Sequence, residues 1–221
     1  MPPNTRSLFD QALNQVRDNL IRLANMVDTA ITQSIEALKN RDVALAQQVI
    51  ANDIAINRLR YEIEEFNVEL IATQQPMASD LRTIIAAMHI AVELERMADH
   101  AEGIAQIVTR IAHEPLLKPL IDVPRMAQIA REMIHASLEA FIEKDIELAR
   151  VTAARDEEID QLHDQVVREL LTYMLQDPTN IQRATYLLWV SHNLERIGDR
   201  ATNISERVIF MATGEMQELN V

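Results

Sequence analysis

Apolar residues recur three and four positions apart along most of the chain, which is the spacing of one buried face of an α-helix. This pattern runs from Leu8 to Leu38, from Val43 to Ile71 and from Leu81 to Ile111, and three further stretches follow. Turn-forming residues or prolines interrupt it at five places, namely Asn40–Asp42, Gln75–Pro76, Pro115–Pro124, Lys144–Asp145 and Asp177–Pro178. Because proline ends a helix or occupies its first turn, the sequence predicts six helices.

The two halves of the chain repeat each other. SIEAL at 34–38 matches SLEAF at 137–141, and a basic residue followed by aspartate comes after each. Asp53 with Ile56 and Leu59 has its counterpart 103 positions later, and LERMADHAEGI at 94–104 matches LERIGDRATNI at 194–204. Since the matches keep their order along the chain, each half is predicted to contain three helices joined by short connections, with antiparallel neighbours.

The fold class expected from these patterns is all-α, with two repeated antiparallel three-helix bundles. Only three glycines and few aromatic residues occur, as is typical of a chain with almost no β-structure. Three prolines between positions 113 and 124 mark the division. We therefore expect a first bundle at 1–112, a linker at 113–124 and a second bundle at 125–221.

Charge and cysteine content narrow the functional classes. The formal net charge is −13, and no dense run of Lys or Arg exists, so direct nucleic-acid binding is not expected. No cysteine occurs, which excludes disulfides, thiolate metal sites and cysteine nucleophiles. The N-terminus lacks the apolar segment of a signal peptide, and no apolar run is long enough to span a bilayer. We expect a soluble, cytoplasmic protein without membrane insertion.

Two pairs of carboxylates occupy the same position in the two repeats. Glu95 and Asp99 are one helical turn apart, and so are Glu195 and Asp199. Like charges at this spacing cost about 0.2–0.5 kcal/mol unless a positive charge lies near them. Their repetition therefore calls for a reason.

The preceding helix of each half carries matching acids. In two antiparallel helices, residues equally far from the turn lie at the same level, so counting from Pro76 places Asp53 opposite Asp99 and Asn57 opposite Glu95. Counting from Pro178 places Asp156 and Asp160 opposite Asp199 and Glu195 within one residue. Oxygen donors of this kind suit hard cations or iron, manganese and zinc. We expect one metal site in each half, formed by Glu95, Asp99, Asp53, Glu195, Asp199, Asp156 and Asp160.

A second interpretation of the same acids is a solvated surface, in which Arg96, Arg196 and Arg200 form ordinary ion pairs. The sequence alone leaves both interpretations open. His192 and His100 are candidate accessory ligands.

These residues are compatible with three functional classes. No Walker loop, dinucleotide-binding glycine pattern or nucleophile elbow is present, so an enzyme with such a site is not predicted. A metal-binding regulatory adaptor is the leading hypothesis. The alternative is a di-metal carboxylate oxidase or metal-storage bundle, although only one Glu-x-x-His match, Glu132 to His135, occurs on the expected pattern. A purely structural bundle with empty acidic faces is the third.

The chain also resembles the PhoU family of phosphate-uptake regulators over nearly its whole length. QPMASDLR at 75–82, ELERMADHA from Glu93 and LERIGDRATNI at 194–204 carry the resemblance. The family's E(D)xxxD pairs map onto Glu95 and Asp99, Glu195 and Asp199, and Asp156 and Asp160. Asp53 matches as well, whereas Asn57 and Met97-Ala98 depart from the pattern.

This resemblance implies a cytoplasmic, non-enzymatic protein that binds iron or zinc clusters on its surface. It implies no organic cofactor. It also implies self-association, with a dimer favoured. The implied partners are the ATPase of the phosphate ABC transporter and the sensor histidine kinase of the phosphate-starvation response, which such a protein would repress.

Overall fold

The computed structural model describes residues 5–219, which contain α-helices, one 3₁₀ turn and no β-strand. The α-helices are α1 (Thr5–Asn40), α2 (Val43–Gln74), α3 (Ser79–Ile111), α4 (Asp122–Glu143), α5 (Ile146–Ala154), α6 (Asp156–Gln176) and α7 (Ile181–Thr213), and the 3₁₀ turn is Pro178–Asn180. The predicted fold class is confirmed, since α1–α3 and α4–α7 form two three-helix units with antiparallel neighbours.

The fifth predicted helix is divided into α5 and α6, so the six predicted helices correspond to seven in the structure. The division lies at Arg155, whose backbone N–H donates to Thr152 O at 3.1 Å in a tight turn. The Arg155 guanidinium binds Glu132 Oε2 of α4 at 2.8 Å and Glu158 Oε1 at 3.2 Å. These contacts hold the turn, whereas α2 continues unbroken through the equivalent position, Asn52.

The first connection of each half is built in the same way, which explains the repeated basic residue and aspartate. Arg41 and Lys144 have φ of 55° and 57°, the left-handed conformation that ends a helix. The next residue, Asp42 or Asp145, then caps the following helix by accepting a hydrogen bond from the backbone N–H three positions on, at 3.0 Å in both cases. The sequence repeat is therefore a repeat of local structure.

Helices α3 and α7 form the antiparallel centre of the molecule. Arg82 Nε donates to Met211 O at 3.2 Å near one end, and His100 Nδ1 lies 2.9 Å from Asn193 Oδ1. Between these contacts, Arg200 Nη1 lies 3.4 Å from Glu93 Oε2. Because numbers rise along one helix as they fall along the other, the acidic segments 95–99 and 195–199 lie at the same level of the helix pair.

One continuous apolar core joins the helices of both halves, with Leu94, Ile104, Leu194 and Ile204 fully buried within it. The segment between α3 and α4 covers residues 112–121, and Pro124 lies in the first turn of α4, where its missing N–H does no harm. The division into domains at 113–124 stays a prediction. Over residues 5–219, no helix is both long and apolar enough to cross a bilayer.

Candidate metal centre

The first acidic cluster lies between α2 and α3, where the sequence predicted it. Burial, followed by the charges of Asp99, Glu102 and Glu95, raises the pKa of Asp53 to about 6, so these side chains are close to one another. Burial and the charge of Asp99 also raise the pKa of Glu95. The predicted register between the two helices therefore brings the carboxylates together.

Two buried oxygen atoms in this cluster lack hydrogen-bond donors within residues 5–219. Asn57 Nδ2 donates to Asp53 Oδ2 at 2.7 Å, but Asp53 Oδ1 and Asn57 Oδ1 have no partner in that part of the chain. Buried polar atoms are rarely left in this state, because the lost hydration is not replaced. The two oxygens are suitable ligands for a cation.

An arginine that sequence reasoning missed lies beside this cluster. Arg60 Nη2 is 4.0 Å from Glu95 Oε1, and Arg60 Nη1 donates to Glu64 at 2.6 Å. The guanidinium lowers the pKa of Glu95 and offsets part of the effects of burial and of Asp99. Arg60 is one turn beyond Asn57 on α2, so its position on the same face could have been found from the spacing.

The second acidic cluster lies between α6 and α7. Burial, followed by the charge of Asp199, raises the pKa of Asp160, and the same two causes raise the pKa of Glu195. Asp156 is almost fully buried and packs against the backbone of Gly198. Asp156, Asp160 and Asp199 line a cavity of about 430 Å³, together with Glu157 and Leu219.

The division between α5 and α6 positions Asp156 in this cluster. Because α6 begins at Asp156, the carboxylates of Asp156 and Glu157 lie in its first turn. The dipole of a helix favours negative charge at its N-terminus. The first half has no such helix start at Asp53, which is a structural difference between the two clusters.

Histidines border the second cluster. His192 Nδ1 lies 3.2 Å from Glu195 Oε2, so this predicted accessory residue does reach a predicted ligand. His163 has its ring 6.2 Å from that of His192, and its Nδ1 is 3.1 Å from Ser191 Oγ. His100 instead contacts Asn193, and burial lowers the pKa of His100.

Some predicted ligands have ion-pair partners, as the alternative interpretation expects. Arg196 Nη1 lies 2.6 Å from Asp199 Oδ2, while Arg200 pairs with Glu93. Asn203 Nδ2 also donates to Glu93, at 3.2 Å. The structure thus contains local ion pairs and crowded carboxylates side by side.

In the described part of the chain, no group of three or more His, Asp or Glu side chains is arranged to hold a metal ion. The carboxylates are turned toward Asn57, Arg60, His192 and Arg196 instead. Ion binding would require these side chains to change rotamer. The residue types and the two unpartnered oxygens of the first cluster fit a cation.

The single Glu-x-x-His match does not contribute to either cluster. Glu132 binds Arg155, and His135 Nε2 lies 3.1 Å from Asp28 Oδ1 on α1. Glu102 was missed by sequence reasoning, although it lies one turn beyond Asp99 on the same face of α3 and affects the pKa of Asp53. Its spacing of three from Asp99 was the available signal.

Known proteins resemble this chain over nearly its whole length. The family model of the PhoU domain matches residues 20–108 and 123–208. The chain is 40% identical to the phosphate-specific transport system accessory protein PhoU homolog of Aquifex aeolicus, over 92% of each chain. It is 38% identical to the homolog of the same name from Rhizobium meliloti, over 94% of this chain and 88% of that one.

Solved structures agree with these matches. The crystal structure of PhoU from Pseudomonas aeruginosa superposes with a TM-score of 0.88 at 34% identity, covering 94% of this chain and 100% of that one. The crystal structure of the phosphate transport system regulatory protein PhoU from Streptococcus pneumoniae superposes with a TM-score of 0.88 at 31% identity. The match covers 95% of this chain and 99% of that one. Two matched segments, close relatives and a shared fold lead to one conclusion: the chain belongs to the PhoU family.

Proposed function

We propose that this protein is a cytoplasmic accessory regulator of phosphate transport that represses the phosphate-starvation response. The observation that carries the proposal is the match of both halves to the PhoU domain, together with relatives named as accessory proteins of the phosphate-specific transport system. Its partners would be the ATPase of the phosphate transporter and the sensor histidine kinase. It would act by binding these proteins and would not catalyse a reaction.

The proposal includes metal binding by the two acidic clusters. Asp53, Glu95 and Asp99 would provide ligands in the first half, and Asp156, Asp160, Glu195 and Asp199 in the second. The raised pKa of Asp53, Glu95, Asp160 and Glu195 supports this assignment, because crowded carboxylates are the groups that a cation stabilises most. A bound iron or zinc ion would supply positive charge that neutralises them.

The chain's own residues would set the geometry of these sites. Gly198 lets Asp156 approach α7, and Asp156 lies in the first turn of α6, where the helix dipole favours negative charge. Arg60 and Arg196 would have to release Glu95 and Asp199. Metal binding would therefore be linked to side-chain movements at the surface of both halves, where a partner could detect them.

Deletion and complementation in the host would test the regulatory role. Deletion should raise the expression of phosphate-starvation genes in phosphate-rich medium, and the wild-type gene should restore repression. Unchanged expression after deletion would contradict the proposed role.

The Glu195→Gln, Asp199→Asn double variant would test whether the metal ligands are needed for this regulation. We expect it to restore repression only partly at equal protein levels. The exposed Glu143→Gln, Asp18→Asn variant is the matched control and should restore repression fully. Full repression by both variants would separate regulation from metal binding.

A further inference from the structure

The chain reverses direction after α7 and runs back along that helix. Gly214 ends α7 with a φ of 84°, a left-handed conformation that suits glycine, and its N–H donates to Phe210 O at 2.8 Å. Residues 214–219 follow without helical structure, and we call them the return strap. The backbone N–H of Leu219 donates to Glu206 Oε1 at 2.9 Å, so the strap retraces about two turns of α7.

Side-chain contacts attach the return strap to two helices. On α5, Arg150 Nη2 donates to Gln217 Oε1 at 2.9 Å. On α7, Arg207 Nη1 lies 3.4 Å from Met216 Sδ. Together with the hydrogen bond to Glu206, these contacts hold the strap against both α5 and α7.

Leu219 brings the return strap to the second acidic cluster. Its half-buried side chain packs against the apolar core and lines the same cavity as Asp156, Asp160 and Asp199. Glu206 lies seven positions after Asp199, so both residues are on one face of α7. The strap therefore lies along the face that carries Asp199, and Leu219 forms part of the cavity wall.

Few contacts hold the return strap in place. Of its two apolar side chains, Met216 is 67% exposed, and Leu219 packs against the core. Glu215 and Glu218 are also exposed. Segments with few buried apolar contacts open locally at a much lower cost than unfolding of the whole protein. The strap can therefore open while the helices around it stay folded.

In the first half, the chain takes a different course after the helix that carries the acids. The connection 112–121 leads from α3 to the second half, where Lys118 pairs with Glu169 of α6. Pro115 O accepts a hydrogen bond from Arg183 of α7 at 3.5 Å. Within residues 5–219, no strap of this kind lies over the first acidic cluster, which therefore serves as an internal comparison.

We propose that the return strap is a movable cover of the second acidic cavity, and that a cation enters or leaves this cavity when Leu219 swings outward. The proposal rests on the metal binding proposed above for the second cluster. In the closed state, the apolar side chain of Leu219 keeps water from part of the cavity, which strengthens the attraction between a cation and the carboxylates. Opening breaks the hydrogen bonds to Glu206 and from Arg150. Ions therefore exchange more slowly at the second cluster than at the first.

Carbodiimide labelling of carboxylates in the metal-free protein, read by mass spectrometry, tests the cover itself. Leu219→Ala and Gln217→Ala should each raise the labelling rate of Asp156 at least about threefold, because both favour local opening. Asp156 is 3% exposed in the closed state. The labelling rate of Asp53 in the first cluster should not change.

Leu175→Ala is the matched control for Leu219→Ala, because Leu175 is 86% exposed and lies outside the strap. It should label at the wild-type rate at both aspartates. Equal labelling of Asp156 in the wild-type protein and in both strap variants would overturn the proposal.

A chemical link across the strap tests its control of ion exchange. The chain contains no cysteine, so an Arg150→Cys, Gln217→Cys variant carries a single pair of thiols. A bis-maleimide would join the two thiols and fix the strap to α5, whereas N-ethylmaleimide would cap each thiol without joining them. Zn²⁺ release from the second cluster into excess chelator should be at least about tenfold slower in the linked protein than in the capped one. Release from the first cluster should be the same in both.

The Glu195→Gln, Asp199→Asn variant identifies the release phase of the second cluster, because that phase should be missing from it. Equal release rates in the linked and capped proteins would overturn the proposal. A wild-type protein that binds no Zn²⁺ at the second cluster would instead contradict the proposed metal site. In that case faster labelling of Asp156 in the strap variants would still support the cover, and equal labelling would overturn it.

Discussion

The Oδ1 atom of Asp156 lies only 2.5 Å from the position that a Cβ atom on residue 198 would occupy. The Cδ1 atom of Ile159 is 2.9 Å from the same position. Glycine within a helix costs about 1 kcal/mol relative to alanine, and here it permits the close approach of α6 to α7. The buried carboxylate of Asp156 is thereby held against the helix that carries Glu195 and Asp199.

Gly198→Ala should displace Asp156 from this position. Gly103→Ala is the control, because its Cβ would lie 3.3 Å from the Asn193 side chain and requires only a small adjustment. Both substitutions gain the same helix propensity, so we expect Gly198→Ala to be less stable than Gly103→Ala by about 1 kcal/mol in urea unfolding. Equal stability of the two variants would contradict the tight contact.

Asp53→Asn should stabilise the metal-free protein at neutral pH. The pKa of Asp53 is about 6 in the folded protein and 3.8 ordinarily, so ionised Asp53 disfavours the folded state. This cost appears as the pH rises from about 4 and is fully present above about 6. The variant should gain about 1 kcal/mol at pH 8, after allowance for solvent screening, and much less at pH 5.

Urea unfolding in the presence of a chelator would measure this difference. The exposed Asp164→Asn variant is the matched control and should change stability by less than about 0.5 kcal/mol at either pH. An Asp53→Asn variant that is no more stable than wild type at pH 8 would show that Asp53 carries no electrostatic cost.

The two halves are joined by an ion pair whose removal should destabilise the fold. Arg131 of α4 donates to both oxygens of Asp28 on α1, at 2.7 and 2.9 Å. Burial raises the pKa of Asp28, but the hydrogen bonds and charges of Arg131 and His135 lower it overall. We expect Arg131→Met to cost about 1–3 kcal/mol at pH 7, since it leaves Asp28 without its bidentate partner.

This cost should also depend on pH. A lowered pKa means that Asp28 contributes stability above its unfolded pKa and loses this contribution as the pH falls through its folded pKa. The difference between wild type and Arg131→Met should therefore shrink in acid. Arg168→Met removes an exposed pair with Asp164, 3.8 Å long, and should cost less than about 0.5 kcal/mol. Equal losses of stability for Arg131→Met and Arg168→Met would contradict the expected difference between the two ion pairs.

Much of the fold could be predicted from the sequence because its signals are local. Helical periodicity, capping aspartates such as Asp42 and Asp145, and prolines at the turns each act within a few residues. The division at Arg155 could not be predicted, because it depends on Glu132, which is 23 positions away in the chain. Helix propensity alone favours continuation there.

The acidic clusters were predictable in position but not in detail. Counting residues from the turn placed Asp53 at the level of Asp99, because two antiparallel helices joined by one short turn have fixed relative levels. It could not show that Arg60 approaches Glu95 or that Arg196 binds Asp199, because long side chains choose among several rotamers.

The metal content of the purified protein tests the central claim most directly. Protein loaded with Zn²⁺ or Fe²⁺ and freed of excess ion should retain metal, measured by elemental analysis. The Glu195→Gln, Asp199→Asn variant should lose the metal bound by the second half, while the exposed Glu143→Gln, Asp18→Asn control should keep the wild-type content. Equal metal content in all three proteins, or none in the wild type, would contradict the account.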